Sequence, residues 1–263
     1  MKICRFIEPE TQRPSYGLIE GEEVFTLLGD LSSAGNLSLE GVEPSVRLSE
    51  ARMLPPVAPS KIVCVGRNYR EHAAELGNPM PSEPLLFLKA PSALIADGEA
   101  IELPEASERV EHEGELAVVI GRKCGRISDE EDPLAYVLGF TCLNDVTARD
   151  LQRRDVQFTR GKSFDTFCPV GPYVVTGLDP SDLSVETRVN GEVRQSGRTS
   201  AMAFPVPHLI RYISQAMTLE PGDLIATGTP AGVGPLKDGD VVEVEVEGVG
   251  VLRNPVRKPA PRN

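Results

Sequence analysis

The segment Glu113-Gly114-Glu115 sets two carboxylates on either side of one glycine, and Asn144-Asp145 follows further along the chain. On an extended backbone, residues two apart point to the same side of the strand, about 6–7 Å from each other. Both glutamates can then converge on one small cation, and the glycine between them adds no bulk to the opposite face. Asp145 would bring a third carboxylate, completing one side of a hard-metal site and leaving other positions to water or substrate. A solvated acidic strand end has the same local sequence, so the pattern has to be weighed with the other groups that could do chemistry.

Three such groups stand out. His72 and Glu75 are spaced i, i+3 on a short helical stretch, where the carboxylate can accept from the imidazole, raise its basicity and make a general base; an exposed pair without a role is the alternative. In NDVTARDLQ, Arg149 and Gln152 follow Asp145 at i+4 and i+7, which suits an anionic substrate that also chelates a metal; a helix cap with a surface arginine is the alternative. Lys162, among Gly161, Ser163 and nearby aromatic residues, could be a partly buried ammonium that stabilises an enolate or oxyanion, or a surface lysine with a packed stem. Two strings carry less. The ATGTPAGVG stretch lacks the Gly-Lys-Ser/Thr ending of a phosphate loop and reads better as a glycine loop whose backbone donors hold a carboxylate. His112 beside Glu113 lacks the second histidine of a zinc protease helix, and the chain has only three histidines, His72, His112 and His208, too few for a well-supplied histidine zinc site.

These side chains need a scaffold of short elements. Residues 1–59 alternate brief apolar runs with turn signals and end in the proline-rich LPPVAPS, which predicts a small N-terminal β-rich domain and a connector. KIVCVG (61–66) reads as a buried strand, Asn68 as the cap of a short helix stopped by Gly77, and 78–84 as a proline-rich loop. A helix and irregular loop set between two strands suit a mobile lid, or an ordinary connector. GELAVVIG (114–121) is a strand bounded by glycines. Residues 129–137 read as a short helix, YVLGFTCLND as a strand ending at Asp145, and VTARDLQRRD as a helix start. Asn190-Gly191 marks a two-residue hairpin turn. Residues 205–217 form the best amphipathic helix, with a proline near its first turn. VVEVEVEGV alternates cleanly between an apolar and an acidic face. Many short strands and few helices predict a β-dominated protein of mixed sheets rather than a doubly wound one.

Composition narrows the function classes. The chain has 263 residues, 40% hydrophobic and 25% charged, as expected of a globular protein with a sizeable core. The 39 acidic against 27 basic residues give a formal charge of -12, and no Lys/Arg run offsets it, which argues against a nucleic-acid partner. Five cysteines without a C-x-x-C pair suit a reducing cytoplasm, and Cys64 and Cys142 read as buried thiols. MKICRFIEPE is too charged for a signal peptide and no apolar run approaches a membrane span, so no membrane partner and a cytoplasmic location are expected.

Seven strings, GRNYREHAAELG, FLKAPSALI, HEGELAVVIG, GFTCLNDVTARDLQ, RGKSFDTFCPVGPYVVT, VNGEVRQ and TGTPAGVG, occur in this order over about residues 60–257. Together they resemble the fumarylacetoacetate hydrolase family, in particular its bacterial acylpyruvate hydrolase-like and 2-hydroxyhepta-2,4-diene-1,7-dioate isomerase-like members with a short N-terminal β domain. The resemblance implies an α+β, β-dominated fold: a mixed β-sandwich roll over 60–257, after the N-terminal domain of 1–59, assembled as a homodimer. By position it implies that Glu113, Glu115 and Asp145 bind a metal, normally Mg2+, with Mn2+ or Ca2+ as alternatives. His72 and Glu75 match the dyad that activates water, and Lys162 the lysine that steadies developing negative charge. Lys89, Arg149, Gln152 and Thr229 match positions that hold a small 2-oxo acid. The implied activity is metal-dependent hydrolysis of a C–C bond in acylpyruvate-like 2,4-dioxo acids, of the kind used in aromatic catabolism, with a metal-stabilised enolate. Isomerisation or decarboxylation of 2-hydroxyhepta-2,4-diene-1,7-dioate or oxaloacetate-type acids at the same site is the alternative. A cupin-like binding module without turnover is the reading from another class, and the missing histidine partners speak against it.

Overall fold

The computed structural model describes residues 1–27, 31 and 43–259. Its framework is a twelve-stranded mixed sheet centred on Gly114–Ile120. That segment is apolar after Glu115 and is buried along its whole length, the pattern of a strand covered on both faces. It pairs antiparallel with Val137–Asn144 on one side and with Leu224–Ala226 on the other, and the register sets Gly114 opposite Asn144. Leu224–Ala226 in turn runs parallel to Ile62–Gly66, which pairs with Leu85–Lys89. The N-terminal strands are continuous with this sheet, because Lys2–Ile7 pairs with Cys168–Val175.

A five-stranded sheet lies against it. Ser184–Val189 and Val241–Val246 alternate between buried and half-buried positions: Val185, Val189, Val242, Val244 and Val246 enter the core, while Glu243 and Glu245 face out and share Arg188. The hairpin turn at Asn190-Gly191 has both residues at positive φ, 54° and 79°, as a two-residue turn matched to strand twist requires. A three-stranded sheet of Thr147–Ala148, Val110–His112 and Gly234–Pro235 closes one end of the roll. The expected β-dominated mixed-sheet fold is thus present, with four α-helices among the described residues: α1 (Arg70–Glu75), α2 (Arg149–Arg154), α3 (Thr159–Lys162) and α4 (Val206–Ala216). The amphipathic helix predicted over 205–217 is α4, which buries Leu209, Ile210 and Ile213. All five cysteines are unpaired and buried.

Two local expectations fail for identifiable reasons. Residues 129–137 do not form an α-helix; only a 3-10 turn, Pro133–Tyr136, appears before the strand begins at Val137. Pro133 has no N–H to continue a helical ladder, and Asp132 caps the turn by accepting from Leu134 N at 2.9 Å. Asn68 does not cap α1, whose N-cap is Tyr69 without a side-chain bond. Instead the fully buried Asn68 side chain is a tie: Nδ2 donates to Thr227 O at 2.7 Å and Phe204 O at 3.0 Å, and Oδ1 accepts from Phe204 N at 2.8 Å. It joins the start of the α1 segment to the glycine loop and to the approach to α4. Asn68→Ala should therefore cost about 2–4 kcal/mol, because buried backbone groups lose their partners. Urea denaturation checks this, and a loss below about 1 kcal/mol would contradict the assignment.

Candidate functional site

The site forms where two strand ends meet. Asp145 N donates to Glu113 O at 2.8 Å and Glu113 N donates to Asn144 Oδ1 at 3.0 Å, so the two acidic residues lie side by side at the head of the central strand pair. Glu113, Glu115 and Asp145 are each at most 4% exposed, and one carboxylate oxygen from each lies within 4.8 Å of the others. The glycine between the glutamates is required by its surroundings: a Cβ on Gly114 would fall 2.0 Å from Thr187 Oγ1. Gln195, from the hairpin strand Glu192–Arg198, holds this segment. Its Oε1 accepts from Gly114 N and from His112 Nδ1, both at 3.0 Å, and its Nε2 donates to Thr229 Oγ1 and Pro230 O at 2.7 Å. Thr229 Oγ1 donates onward to Gly114 O at 2.8 Å.

Three buried cations face the acids. Lys162, at the end of α3, donates to Glu113 Oε2 at 2.7 Å and Asp145 Oδ2 at 2.6 Å. Lys89 donates to Asp145 Oδ1 at 2.7 Å and to Val146 O at 3.2 Å. Arg149, the first residue of α2, donates Nε to Glu111 Oε2 at 2.7 Å, Nη2 to Glu113 and Nη1 to Gln152 Oε1 at 2.7 Å. Burial alone would raise the Glu113 carboxyl, but Lys162 and Arg149 outweigh it and hold it well below the usual carboxylate range. Burial likewise works against the Lys162 charge, yet Asp145 and Glu113 raise its pKa above the ordinary ammonium value. Glu115 differs. Burial and the like charges of Asp145 and Glu113 push its carboxyl well above the ordinary range, and the Gly228 amide, donating to Oε2 at 2.7 Å, offsets only part of that. The three clustered acids form a donor set of oxygens alone, which suits a hard divalent ion.

His72 in α1 is 5% exposed, and its Nδ1 lies 3.4 Å from Glu75 Oε2. Glu75 in turn accepts from Gly232 N at 3.1 and 3.2 Å, which fastens α1 to the glycine loop. Backbone amides of that loop therefore do hold carboxylates, and both are the protein's own. A cavity of about 400 Å³ opens over the cluster, with His72, Glu113, Glu115, Asp145, Lys162 and Thr229 in its wall. Arg149 and Gln152 also reach it, whereas Lys89 stands behind Asp145 and Glu75 behind His72.

Several lining or supporting residues were not singled out from the sequence. Glu111 continues the every-second-residue spacing of Glu113 and Glu115, a signal that was present. Gln195, from a distant hairpin, gave none. Arg67, Phe87, Arg153 and Phe158 complete the cavity wall and come from segments that carry no local mark of it.

Residues 61–257 match the family described as fumarylacetoacetate (FAA) hydrolase, C-terminal, and residues 1–56 match the family described as Rv2993c-like, N-terminal. An uncharacterized protein of Archaeoglobus fulgidus is 56% identical over 218 residues, which cover 83% of this chain and 86% of that protein. The oxaloacetate tautomerase YisK of Bacillus subtilis is 46% identical over 224 residues, covering 80% of this chain and 74% of the relative. A crystal structure of 2-hydroxyhepta-2,4-diene-1,7-dioate isomerase from Mycobacterium marinum superimposes with a TM-score of 0.88 at 42% identity, over 99% of this chain and 100% of that one.

The repulsion around Glu115 gives a direct test of the acidic cluster. Glu115→Gln should raise the thermal midpoint of the metal-free protein, by about 2–4 °C for each kcal/mol of repulsion relieved. Millimolar magnesium should raise the wild-type midpoint by several degrees and leave the variant's unchanged. A lower metal-free midpoint with an intact magnesium response would contradict this reading of the site.

Proposed function

The chain belongs to the fumarylacetoacetate hydrolase family, a family of enzymes, and on that premise we propose that it catalyses divalent-metal-dependent isomerisation of a small 2-oxo acid through its enolate. The observation that carries this reading is that a three-carboxylate cluster, a buried ammonium and a histidine backed by a glutamate share one cavity wall. The names of two similar proteins, a tautomerase and an isomerase, support isomerisation over the other reactions open to such a site.

Glu113, Glu115 and Asp145 would hold the ion. Their oxygens that already accept from Lys89, Lys162 or Arg149 keep a second lone pair, and magnesium is the hard ion that best suits a site sharing its positions with water and substrate. Bound there, a divalent ion supplies Lewis acidity at the 2-oxo and carboxylate oxygens of the substrate. His72 moves a proton at the carbon next to the 2-oxo group. Glu75 accepts from Nδ1 and so leaves Nε2 as the basic nitrogen. Lys162, kept charged by its two carboxylates, stabilises negative charge developing on the substrate. Arg149 and Gln152 position Glu113 and the cavity wall, and Thr229 fixes the Gly114 backbone between the two glutamates.

A second reading, hydrolysis of the C3–C4 bond of an acylpyruvate-like 2,4-dioxo acid, uses the same groups. His72 would take the proton from water attacking the distal carbonyl, while Lys162 steadies the oxyanion. The apolar side of the cavity, formed by Leu76, Phe87, Val156 and Phe158, favours it by offering room for an acyl chain. Product analysis by NMR separates the two. With magnesium and the enol form of oxaloacetate, accelerated ketonisation without release of carbon dioxide supports isomerisation; pyruvate and a free carboxylic acid from acylpyruvates, with no effect on the enol, sinks it. His72→Ala should lower kcat about 100- to 10,000-fold with magnesium affinity retained, and activity that survives the substitution would reject the assigned role.

A further inference from the structure

His112, at the end of the strand Val110–His112, has one ring nitrogen that the chemistry above does not use. The residue is 1% exposed, and its Nδ1 lies 3.0 Å from Gln195 Oε1. That oxygen is fixed as an acceptor: it also takes the Gly114 N–H, while Gln195 Nε2 donates to Thr229 Oγ1 and Pro230 O. Nδ1 therefore carries the proton of the neutral ring, and Nε2 presents a lone pair. Nε2 bonds no group among the described residues. It borders a second cavity, of about 570 Å³, whose wall shares no residue with that of the first. We propose that this second cavity binds a small anion that also carries a hydroxyl or amino donor, with Arg194 and Lys237 taking the charge and His112 Nε2 accepting from the donor.

Access to the nitrogen is the first support. Gly234 lies opposite His112 in the three-stranded sheet and lines the same cavity. Its φ is not left-handed, so its conformation does not demand glycine. A Cβ there would meet one atom within 4 Å, His112 Nε2 at 3.5 Å. Glycine at this position leaves uncovered a buried acceptor that any side chain would cover, and a buried acceptor calls for a donor.

Charge is the second. The charged groups on the wall are Arg194, Lys237 and Asp240. Both Asp240 oxygens are engaged in fixing the rim: Oδ1 accepts from Asn190 Nδ2 at 2.8 Å and Oδ2 from Lys237 N at 2.7 Å, while Val241 N donates to Asn190 Oδ1 at 2.9 Å. Arg194 pairs only with Glu192, outside the wall, at 2.9 Å, where the two side chains are 47% and 68% exposed. An ion pair so exposed is weak and easily exchanged. The Lys237 ammonium has no partner among the described residues. Between these cations and His112 the wall carries Val193 and Val233, which suit the short carbon skeleton joining an anion to its donor.

The inference does not depend on the reaction proposed above and is tested by binding. Isothermal titration of the magnesium-loaded protein compares glycerol 3-phosphate with propyl phosphate, and 3-hydroxybutyrate with butyrate; within each pair only one member has a hydroxyl donor. The hydroxylated member of at least one pair should bind with Kd below about 1 mM, about three- to tenfold more tightly than its partner, the effect of one hydrogen bond. The pair that responds tells whether the anion is a phosphate or a carboxylate. Arg194→Gln and Lys237→Gln should each weaken that binding about tenfold. Gly234→Ala, whose methyl covers Nε2, should bring the hydroxyl preference to within about twofold of unity. Glu115→Gln should leave the binding unchanged, which separates this site from the acidic cluster. The 15N resonance of His112 Nε2 should move with the hydroxylated ligand and not with its partner, and it gives the same reading if Gly234→Ala does not fold. Four results would each overturn the proposal: no binding below about 1 mM, equal binding within both pairs, binding that survives both charge variants, or binding lost in Glu115→Gln.

Discussion

Four carboxylates, those of Glu111, Glu113, Glu115 and Asp145, are buried in one small volume, and the need to balance that charge constrains the rest of the site. Removing an ionised carboxylate from water costs several kcal/mol unless a partner and hydrogen bonds compensate. The chain supplies Lys89, Arg149 and Lys162, each itself at most 2% exposed, from three different elements. Lys89 ends the strand Leu85–Lys89, Arg149 opens α2 and Lys162 closes α3. Because two of these cations each bridge two acids, the electrostatics also dictates where the short helices sit on the sheet. Glu115 takes its hydrogen bond from the Gly228 amide, and burial with the charges of Asp145 and Glu113 pushes its carboxyl well above the ordinary range.

The glycine loop and α1 form the opposite side of the same arrangement. Gly228 reaches Glu115 and Gly232 reaches Glu75, so one loop touches both the acidic cluster and the dyad. Gly232 has φ 103°, and a Cβ there would fall 2.0 Å from Arg194 O, so no other residue could bring its amide to Glu75. Gln195, next to Arg194, holds Gly114 and Thr229. The loop, the hairpin and the central strand are thereby tied into one surround, to which α1 is fastened by the buried Asn68 at its start and by the Glu75 contact at its end.

Much of this was legible in the chain because the signals are local. The i, i+2 spacing of Glu113 and Glu115, the i, i+3 spacing of His72 and Glu75, and Asp145 at a strand end each follow from backbone periodicity, and the structure brings all five to one region. The amphipathic period of α4 and the Asn190-Gly191 turn are local in the same way. What the sequence hid is what tertiary contacts decide. Asn68 has the composition of a helix cap, yet three buried backbone groups elsewhere claim its side chain. Arg149 and Lys89 read as substrate contacts, yet carboxylates from other segments engage them first. Pro133 inside a stretch that otherwise looks helical was a local signal against the helix expected over 129–137.

We propose that Glu113, Glu115 and Asp145 hold a divalent ion on which a 2-oxo acid is bound and made acidic. A crystal structure of the protein soaked with magnesium and oxalate, a mimic of the enolate of a 2-oxo acid, tests it most directly. One ion is expected with an oxygen from each of the three carboxylates at about 2.0–2.1 Å, oxalate chelating its open side, and Lys162 and His72 facing the oxalate. An ion elsewhere, or a cluster left metal-free with its carboxylates paired only to Lys89, Lys162 and Arg149, would contradict it.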